Sequence, residues 1–443
     1  MQGFPKLFSN LNLVSSWEKR QERLRASAVS PWLSEWARRS LLLNYEDENL
    51  PSPVLNSHRM ADIAGGLDGV VNLSAGGQIH RGPPGFVVDA VRRAVDEGRF
   101  HYPGVRGDAD LRAALAEKLA RDNGIIADPA SDILPTIGAQ FPIDGTLRIL
   151  VNPGDDVLLI DPEYASLEPV IRLYGGNVIP VPLHDTPSGW VFDPDDLRRR
   201  ITRRTKLFCF SNGNNPTGYL YTRSDLDAIA GLAREHDFFV FSDEEYEKLV
   251  FDGRPHHSMA AVPGMAERTV TAFSFSKAYC LSGLRIGYMV GPAAIMDHMY
   301  NVIRFSIQAV GALGMRAALA TLRGPSEPWL RETVADLQAD RDYAAARLNA
   351  MPGVRVHPPV GCYFLYTHVD AGGLPSWKLA EYLLTEARIS VISGHQFGRS
   401  GRSYLRISGC VGRERLQEGL NRMEQALARL STQAPASSTA GSS

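Results

Sequence analysis

Short, mostly apolar runs recur through the middle of this 443-residue chain, at 157–160, 178–181, 207–210, 238–241, 270–273 and 286–290, several of them apolar throughout, with helix-patterned stretches between them. A strand with one wet face alternates apolar and polar side chains. Runs that are apolar throughout are covered on both faces, the condition of parallel strands flanked by helices. The expected fold class is therefore α/β, with a mostly parallel sheet sandwiched by helices. A chain of this length can bury a large core and a second, smaller one.

The ends read differently. Residues 1–55 form an arginine-rich arm with helical spacing at 17–24 and 32–43, broken at Ser30-Pro31, and 46–53 is a polar, proline-closed linker. The large unit is expected over 56–300, with the stretch 56–80 crossing to the smaller unit. A helical stretch from 296 to 351 supplies connecting helices at 301–352. The small α+β unit is expected over 353–430, with strands near 362–366, 389–392 and 404–407 and a closing amphipathic helix at 413–430. The low-complexity tail, 431–443, is expected to be disordered.

Composition excludes several functions. With a net charge of −2 and 22% charged residues, the chain lacks the basic excess of a nucleic-acid binder. Cys209, Cys280, Cys362 and Cys410 form no C-x-x-C pair, which argues against a zinc ribbon or disulfide framework and for buried thiols. With neither a membrane-length apolar run nor a signal-peptide pattern, a cytoplasmic protein acting on a small molecule is expected.

Four polar clusters follow strand-like runs, at the sheet edge where open α/β folds bind ligands. Ser274-Phe275-Ser276-Lys277, with Arg285 close behind, joins hydroxyls, an amine and a guanidinium, a set suited to a phosphate and a carbonyl compound. Alone, it is also a solvated loop. Asp243-Glu244-Glu245-Tyr246 offers a carboxylate able to keep a pyridine nitrogen protonated, although an aspartate there also caps helices. Asn212-Gly213-Asn214-Asn215-Pro216-Thr217-Gly218 is a turn string whose Asn215 could bond a ring oxygen. Thr136-Ile137-Gly138-Ala139-Gln140 combines a glycine with a helix start, a phosphate-binding arrangement.

In this order the clusters are highly specific. Through SFSKAYCLSGLRIGY, NNPTG, DEEY, GAQ and YLRIS, the chain resembles the class I/II aminotransferases, of fold type I among pyridoxal-phosphate enzymes, over about 56–430. The resemblance implies a large domain with a seven-stranded-type sheet, a small C-terminal domain and pyridoxal 5′-phosphate as cofactor. It assigns Lys277 to the Schiff base and to proton transfer, Asp243 to the pyridinium, and Asn215 and Tyr246 to the ring oxygen. Ser274, Ser276, Arg285, Gly138 and the amides of Ala139 and Gln140 would hold the phosphate, with Tyr164 stacked on the ring. Arg406, Asn215 and Gly76 would meet the substrate carboxylate. Tyr102 matches a tyrosine that reaches the neighbouring subunit's phosphate, implying a homodimer with shared sites.

One stretch departs from the family pattern. A Gly-x-Pro-Asp-Phe string common among relatives is replaced by Gly76-Gly77-Gln78-Ile79-His80, which puts the usual substrates in doubt and makes Gln78 and His80 candidate substrate contacts. Arg304, His101 and Arg106 are further candidates for reaching a neighbouring site. The first reading is transfer of an amino group between an L-amino acid and a 2-oxo acid. The alternative is a lyase or synthase using the same cofactor for elimination, replacement or carbon–carbon bond formation, on S-adenosylmethionine for example, in specialised natural-product biosynthesis. Aminocyclopropane carboxylate synthases resemble the chain at the same motifs. A non-catalytic regulator of this fold would carry a DNA-binding module that the arm does not resemble.

Overall fold

The structure, a computed structural model, describes Ser34, Met60, residues 64–74, Gly76 and residues 79–433. The arm expected at 1–55, Ser34 apart, lies outside the described residues, as do Gln78 and positions 434–443.

In chain order the first strands are β1 (Val71–Asn72), β2 (Ile133–Thr136), β3 (Asp156–Asp161), β4 (Asn177–Thr186), β5 (Gly189–Phe192), β6 (Thr205–Ser211), β7 (Phe239–Asp243), β8 (Thr269–Ser274) and β9 (Gly287–Val290). All but β1 form one sheet, ordered β2-β9-β8-β7-β6-β3-β4-β5. From β8 to β4 neighbours are parallel, whereas β9 runs antiparallel between β2 and β8. The sheet has eight strands where seven were expected, because β5 folds back on β4 as an antiparallel hairpin arm. Its one apolar stretch, Trp190-Val191-Phe192, is short and only Phe192 is buried, so it does not stand out as the other strands do.

The apolar strands are explained by what each face meets. In β6, Leu207 and Cys209 enter one core with Phe141 and Leu147 of helix Gln140–Leu150 and Met299 of helix Ala293–Ser306. Phe208 and Phe210 point the other way, toward Leu226, Ile229 and Ala233 of helix Arg223–His236. Alternate residues thus serve opposite cores, each buried side chain contributing about 1.5–3 kcal/mol. Helix Arg223–His236 starts on a capping box between Thr222 and Asp225, which fixes where the chain leaves the β6 loop.

Beyond β9 the expected helical stretch is three helices, Ala293–Ser306, Ala312–Arg323 and Ser326–Asn349. Gly311 and Gly324-Pro325 interrupt it, since proline removes a helical donor. The smaller unit follows, with β10 (Val354–Val356), β11 (Phe364–Val369), β12 (Ile389–Ser390), β13 (Ile392–Ser393) and β14 (Tyr404–Ser408). Antiparallel β10-β11-β14-β13 form its sheet, packed by helices Ser376–Ala387 and Arg413–Gln433. The run read as one strand at 389–392 is divided: β13 joins β14, while β12 pairs in parallel with β1. That pairing carries the 71–74 segment across to the small unit and delivers Gly76 to the cleft. The closing helix continues to Gln433, past the start expected for the tail. Among the described residues no helix is long and apolar enough to cross a membrane.

Candidate active site

The carboxyl ends of β6, β7 and β8 lie side by side, so the three loops that follow them open on one edge of the sheet. At its centre the Lys277 amine donates to the Gly76 carbonyl oxygen at 2.6 Å. The Tyr363 hydroxyl donates to the same oxygen at 2.8 Å. The Tyr246 ring centroid is 6.0 Å from Nζ, and the Tyr246 hydroxyl is buried with no hydrogen-bond partner among the described residues. Tyr363 and Phe364 pack edge-on against that ring and fix its plane.

Asp243 closes β7 and is buried. Its carboxylate accepts the Glu245 backbone N–H at 3.2 Å. Burial first, and the charge of Glu245 second, push its pKa well above the usual carboxylate range. A carboxylate so placed gains most from a cation brought to it, and a protonated ring nitrogen is such a cation.

An adjoining side of the cleft is built largely from backbone. Helix Gln140–Leu150 begins after Ala139 with no side-chain cap and no acidic residue in its first turn, so its N–H groups are open to an anion. Gly138, at φ +79°, lies against the Arg285 guanidinium: an added Cβ would stand 2.6 Å from Nη2. Only glycine combines that φ with that approach. Arg285 itself takes φ 50°, rare for a side-chain-bearing residue, and donates to the Ile137 and Ser282 carbonyls at 3.1 and 3.0 Å. Ser274 Oγ accepts the Ser276 N–H at 3.0 Å, turning the loop tightly before Lys277. The Tyr164 hydroxyl reaches Gln140 Oε1 at 3.3 Å, which sets the phenol beside the helix start.

Opposite, Arg406 rises from β14. Its Nη1 donates to Asn215 Oδ1 at 3.0 Å and its Nη2 to the Ser74 carbonyl at 3.2 Å, while Nε has no partner among the described residues. The guanidinium is 3.9 Å from the Phe364 centroid and 4.9 Å from that of Phe397. Burial draws its pKa down from the guanidinium range. Because Asn215 spends its amide oxygen on Arg406, its Nδ2 remains a donor, as an anionic ring oxygen requires. A side chain on Gly76 would stand 3.1 Å from Phe364 Cζ and 3.4 Å from Arg406 Nη2.

Lys277, Asp243, Tyr246, Asn215, Arg406 and Gly76 are thus gathered around one cleft, with Gly138, Ala139, Gln140, Ser274, Ser276, Arg285 and Tyr164 along its adjoining edge. Tyr102, 79% exposed, and His101 stand outside this chain's cleft, and Arg106 pairs with Asp297. Arg304 is exposed beside the Phe305 ring, and exposed His80 lies against Gly412. Sequence reasoning assigned no role to Glu163, Glu245, Tyr363 or Ser74. The Glu163 carboxylate accepts the Tyr164 N–H (2.7 Å), the Ser211 N–H (2.9 Å) and Asn214 Nδ2 (3.1 Å), tying the Tyr164 loop to the Asn215 loop. Burial pushes its pKa up to about 7. Both glutamates were visible inside the motif strings DPEY and DEEY, where position in the string was the available signal.

This arrangement defines an enzyme of the fold type I pyridoxal-phosphate class. The sequence pattern of the family "Aminotransferase class I and II" matches residues 68–423, and the chain belongs to that family. It is 32% identical over 371 residues to the aromatic-amino-acid aminotransferase 2 of Thermococcus litoralis, covering 83% of this chain and 94% of that one. Its identity to the arginine–pyruvate transaminase of Pseudomonas aeruginosa is 34%, covering 80% and 90%. An aspartate aminotransferase structure from Thermus thermophilus with maleate superposes at a TM-score of 0.80 with 30% identity, covering 89% of this chain and 99% of that one. The chain is an aminotransferase, and its cofactor is pyridoxal 5′-phosphate. The residues present fit that group: an uncapped helix start and Arg285 for the phosphate, a buried acid that accepts only a backbone N–H among the described residues for the ring nitrogen, and for the ring oxygen a phenol with no partner among those residues and an amide donor.

Proposed function

We propose that the chain moves an amino group between an L-amino acid and a 2-oxo acid, with Lys277 as the residue that holds the cofactor. The observation that supports this most is the convergence of the Lys277 amine and the Arg406 guanidinium on Gly76, where even a single added carbon would crowd Phe364 and Arg406. Bound pyridoxal phosphate supplies an aldehyde carbon for attachment of the amino group and a ring that takes up the electron pair left at the substrate Cα. Lys277 would hold the cofactor aldehyde, and its free amine would carry a proton between the substrate Cα and the cofactor C4′. Asp243 keeps the ring nitrogen protonated, and Tyr246 and Asn215 donate to the ring oxygen. Ser274, Ser276, Arg285, Gly138 and the amides of Ala139 and Gln140 hold the phosphate, while Tyr164 covers one ring face. Arg406 takes the α-carboxylate on its planar fork, beside Asn215 and Gly76.

Exposed Tyr102, with Phe100 and Phe305 70% and 81% exposed, supports a homodimer in which Tyr102 reaches the neighbouring phosphate. Free thiols at all four cysteines support a cytoplasmic location. The domain division at 56–300, 301–352 and 353–430 belongs to the same reading. Adding an amino acid alone to the holoenzyme should convert the cofactor absorbance to that of the pyridoxamine form. Absence of conversion with every common amino acid, with eliminated or cyclised products and unchanged cofactor, would establish a lyase or synthase instead. Reduction with borohydride should fix the cofactor to Lys277, and no adduct there would end the assignment.

A further inference from the structure

Glu245 is an acid in the cleft to which the proposed reaction gives no task. Its side chain is 13% exposed, and its Oε1 stands 4.0 Å from Lys277 Nζ. Among the described residues its carboxylate accepts no hydrogen bond. Leaving a largely buried carboxylate without a partner costs free energy, so the position calls for a cation. The Glu245 charge also reaches the rest of the cleft, where it is the second cause, after burial, of the raised pKa of Asp243 and contributes to the upward shifts of Tyr164, Tyr246 and Tyr363.

The groups facing the Lys277 amine come from several elements. The loop after β7 supplies Glu245 and the Tyr246 ring, and β7 itself ends in Asp243, which feels the Lys277 charge. The segment before β11 gives the Tyr363 hydroxyl, committed to the Gly76 carbonyl. Beyond β14 lies Cys410, a buried thiol that also feels Lys277. The positive Arg406 is occupied by Asn215 and the Ser74 carbonyl. Among the described residues Glu245 is therefore the acidic side chain that faces the amine within 4.0 Å, and the Gly76 carbonyl is a neutral acceptor.

We propose that Glu245 is a positioning residue for Lys277: its carboxylate holds the lysine nitrogen by charge and keeps it over the Gly76 carbonyl whenever it is free. The inference rests on the assignment of Lys277 as the cofactor-bearing residue. An opposite charge at this distance moves a titration by about 1–3 pH units, and the partly open cleft favours the low end. The sign follows directly, since removing the negative charge makes the nitrogen easier to deprotonate.

The test is a pH titration of the visible absorbance of the cofactor bound to Lys277, in the wild-type holoenzyme, Glu245→Gln and Glu245→Asp. The glutamine variant should titrate about one unit lower. The aspartate variant, shorter but charged, should lie between the two. Should Glu245→Gln fail to retain cofactor, cofactor-free protein gives the second readout, acetylation of Lys277 by acetic anhydride at neutral pH, followed by peptide mass spectrometry. The variant should be labelled about tenfold faster, the rate equivalent of one unit. Coincident titrations, or equal labelling where titration is impossible, overturn the proposal. A wild-type protein with no visible band overturns the cofactor assignment itself, and this inference with it.

Discussion

Asp185 and Asp243 sit near the carboxyl ends of β4 and β7 in one sheet, yet the protein treats them in opposite ways. Asp185 accepts both Arg355 nitrogens at 2.7 Å, His357 Nε2 at 2.8 Å and the Tyr404 hydroxyl, fastening the large unit to β10 and β14 of the small one. Burial works to raise its pKa, but the bonds from Arg355, Tyr404 and His357 prevail and hold it at about 2. Asp243 is given a single backbone N–H and a neighbouring negative charge, and its pKa moves far the other way. Where the chain supplies all the partners, the acid is a fastener. Where it withholds them, the acid is poised for a charge that arrives with a ligand.

Removing each acid should therefore do different damage. In Asp243→Ala the ring nitrogen loses its counter-charge, and losing one member of a buried charge pair at about 4 kcal/mol corresponds to a roughly thousandfold fall in kcat. Cofactor capture, which the phosphate contacts sustain, should fall much less when measured by equilibrium titration. Near-normal turnover would remove the distinction between the two aspartates. Next in size is Arg406→Lys. A lysine cannot reproduce the planar fork, and one lost charge-assisted bond of about 2–3 kcal/mol lowers kcat/KM for the amino acid roughly a hundredfold. Steady-state kinetics with a fixed 2-oxo acid would read it, and an unchanged kcat/KM would detach Arg406 from the carboxylate.

Asp185→Ala should leave kcat nearly unchanged and lower stability. Breaking a buried pair costs about 3–5 kcal/mol, but the Arg355 side chain is 47% exposed, so about 1–2 kcal/mol is expected from urea unfolding. A loss of turnover without a loss of stability would mean that this clamp serves the chemistry and not the fastening.

The two aspartates also mark what the sequence could reveal. Asp243 was legible because it follows an apolar run within a string whose companions, Lys277, Asn215 and Arg406, recur in a fixed order. The strand at 207–210 was legible because burial on both faces leaves no polar residue in the run, and 270–273 interrupts its apolar run only with Thr271, a β-branched residue at home in strands. Asp185 gave no signal: its partners are 170, 172 and 219 residues away, and such pairing is decided by how the two units meet. The same holds for β5 and for the split at 389–393, where a hairpin and a change of sheet depend on tertiary neighbours. Glu163 lay in view without a role, because a glutamate beside a proline in a loop looks solvated until its three N–H donors are placed around it.

The smallest effect sharpens the comparison through pH. Glu244, next to Asp243, is buried but bonded by Ser242 Oγ at 2.8 Å, Ser258 Oγ at 2.5 Å and the Met259 N–H at 3.1 Å. Burial outweighs these bonds and pushes its pKa up to about 7, so its contribution to stability is complete below the unfolded value of about 4.3 and is lost as pH rises through about 7. Asp185 has the reverse sign. Its folded value of about 2 lies below the unfolded value of about 3.9, so its contribution is present above about pH 4 and fades as pH falls through 2. Against wild type, Glu244→Gln should gain relative stability between about pH 4.3 and 7, where Asp185→Asn shows a constant deficit. Below about pH 4 the Asp185→Asn deficit should shrink while the Glu244→Gln difference stays flat. Urea unfolding at four pH values resolves both trends, and parallel curves for the two variants would mean that burial, and not partner supply, governs every acid in this sheet.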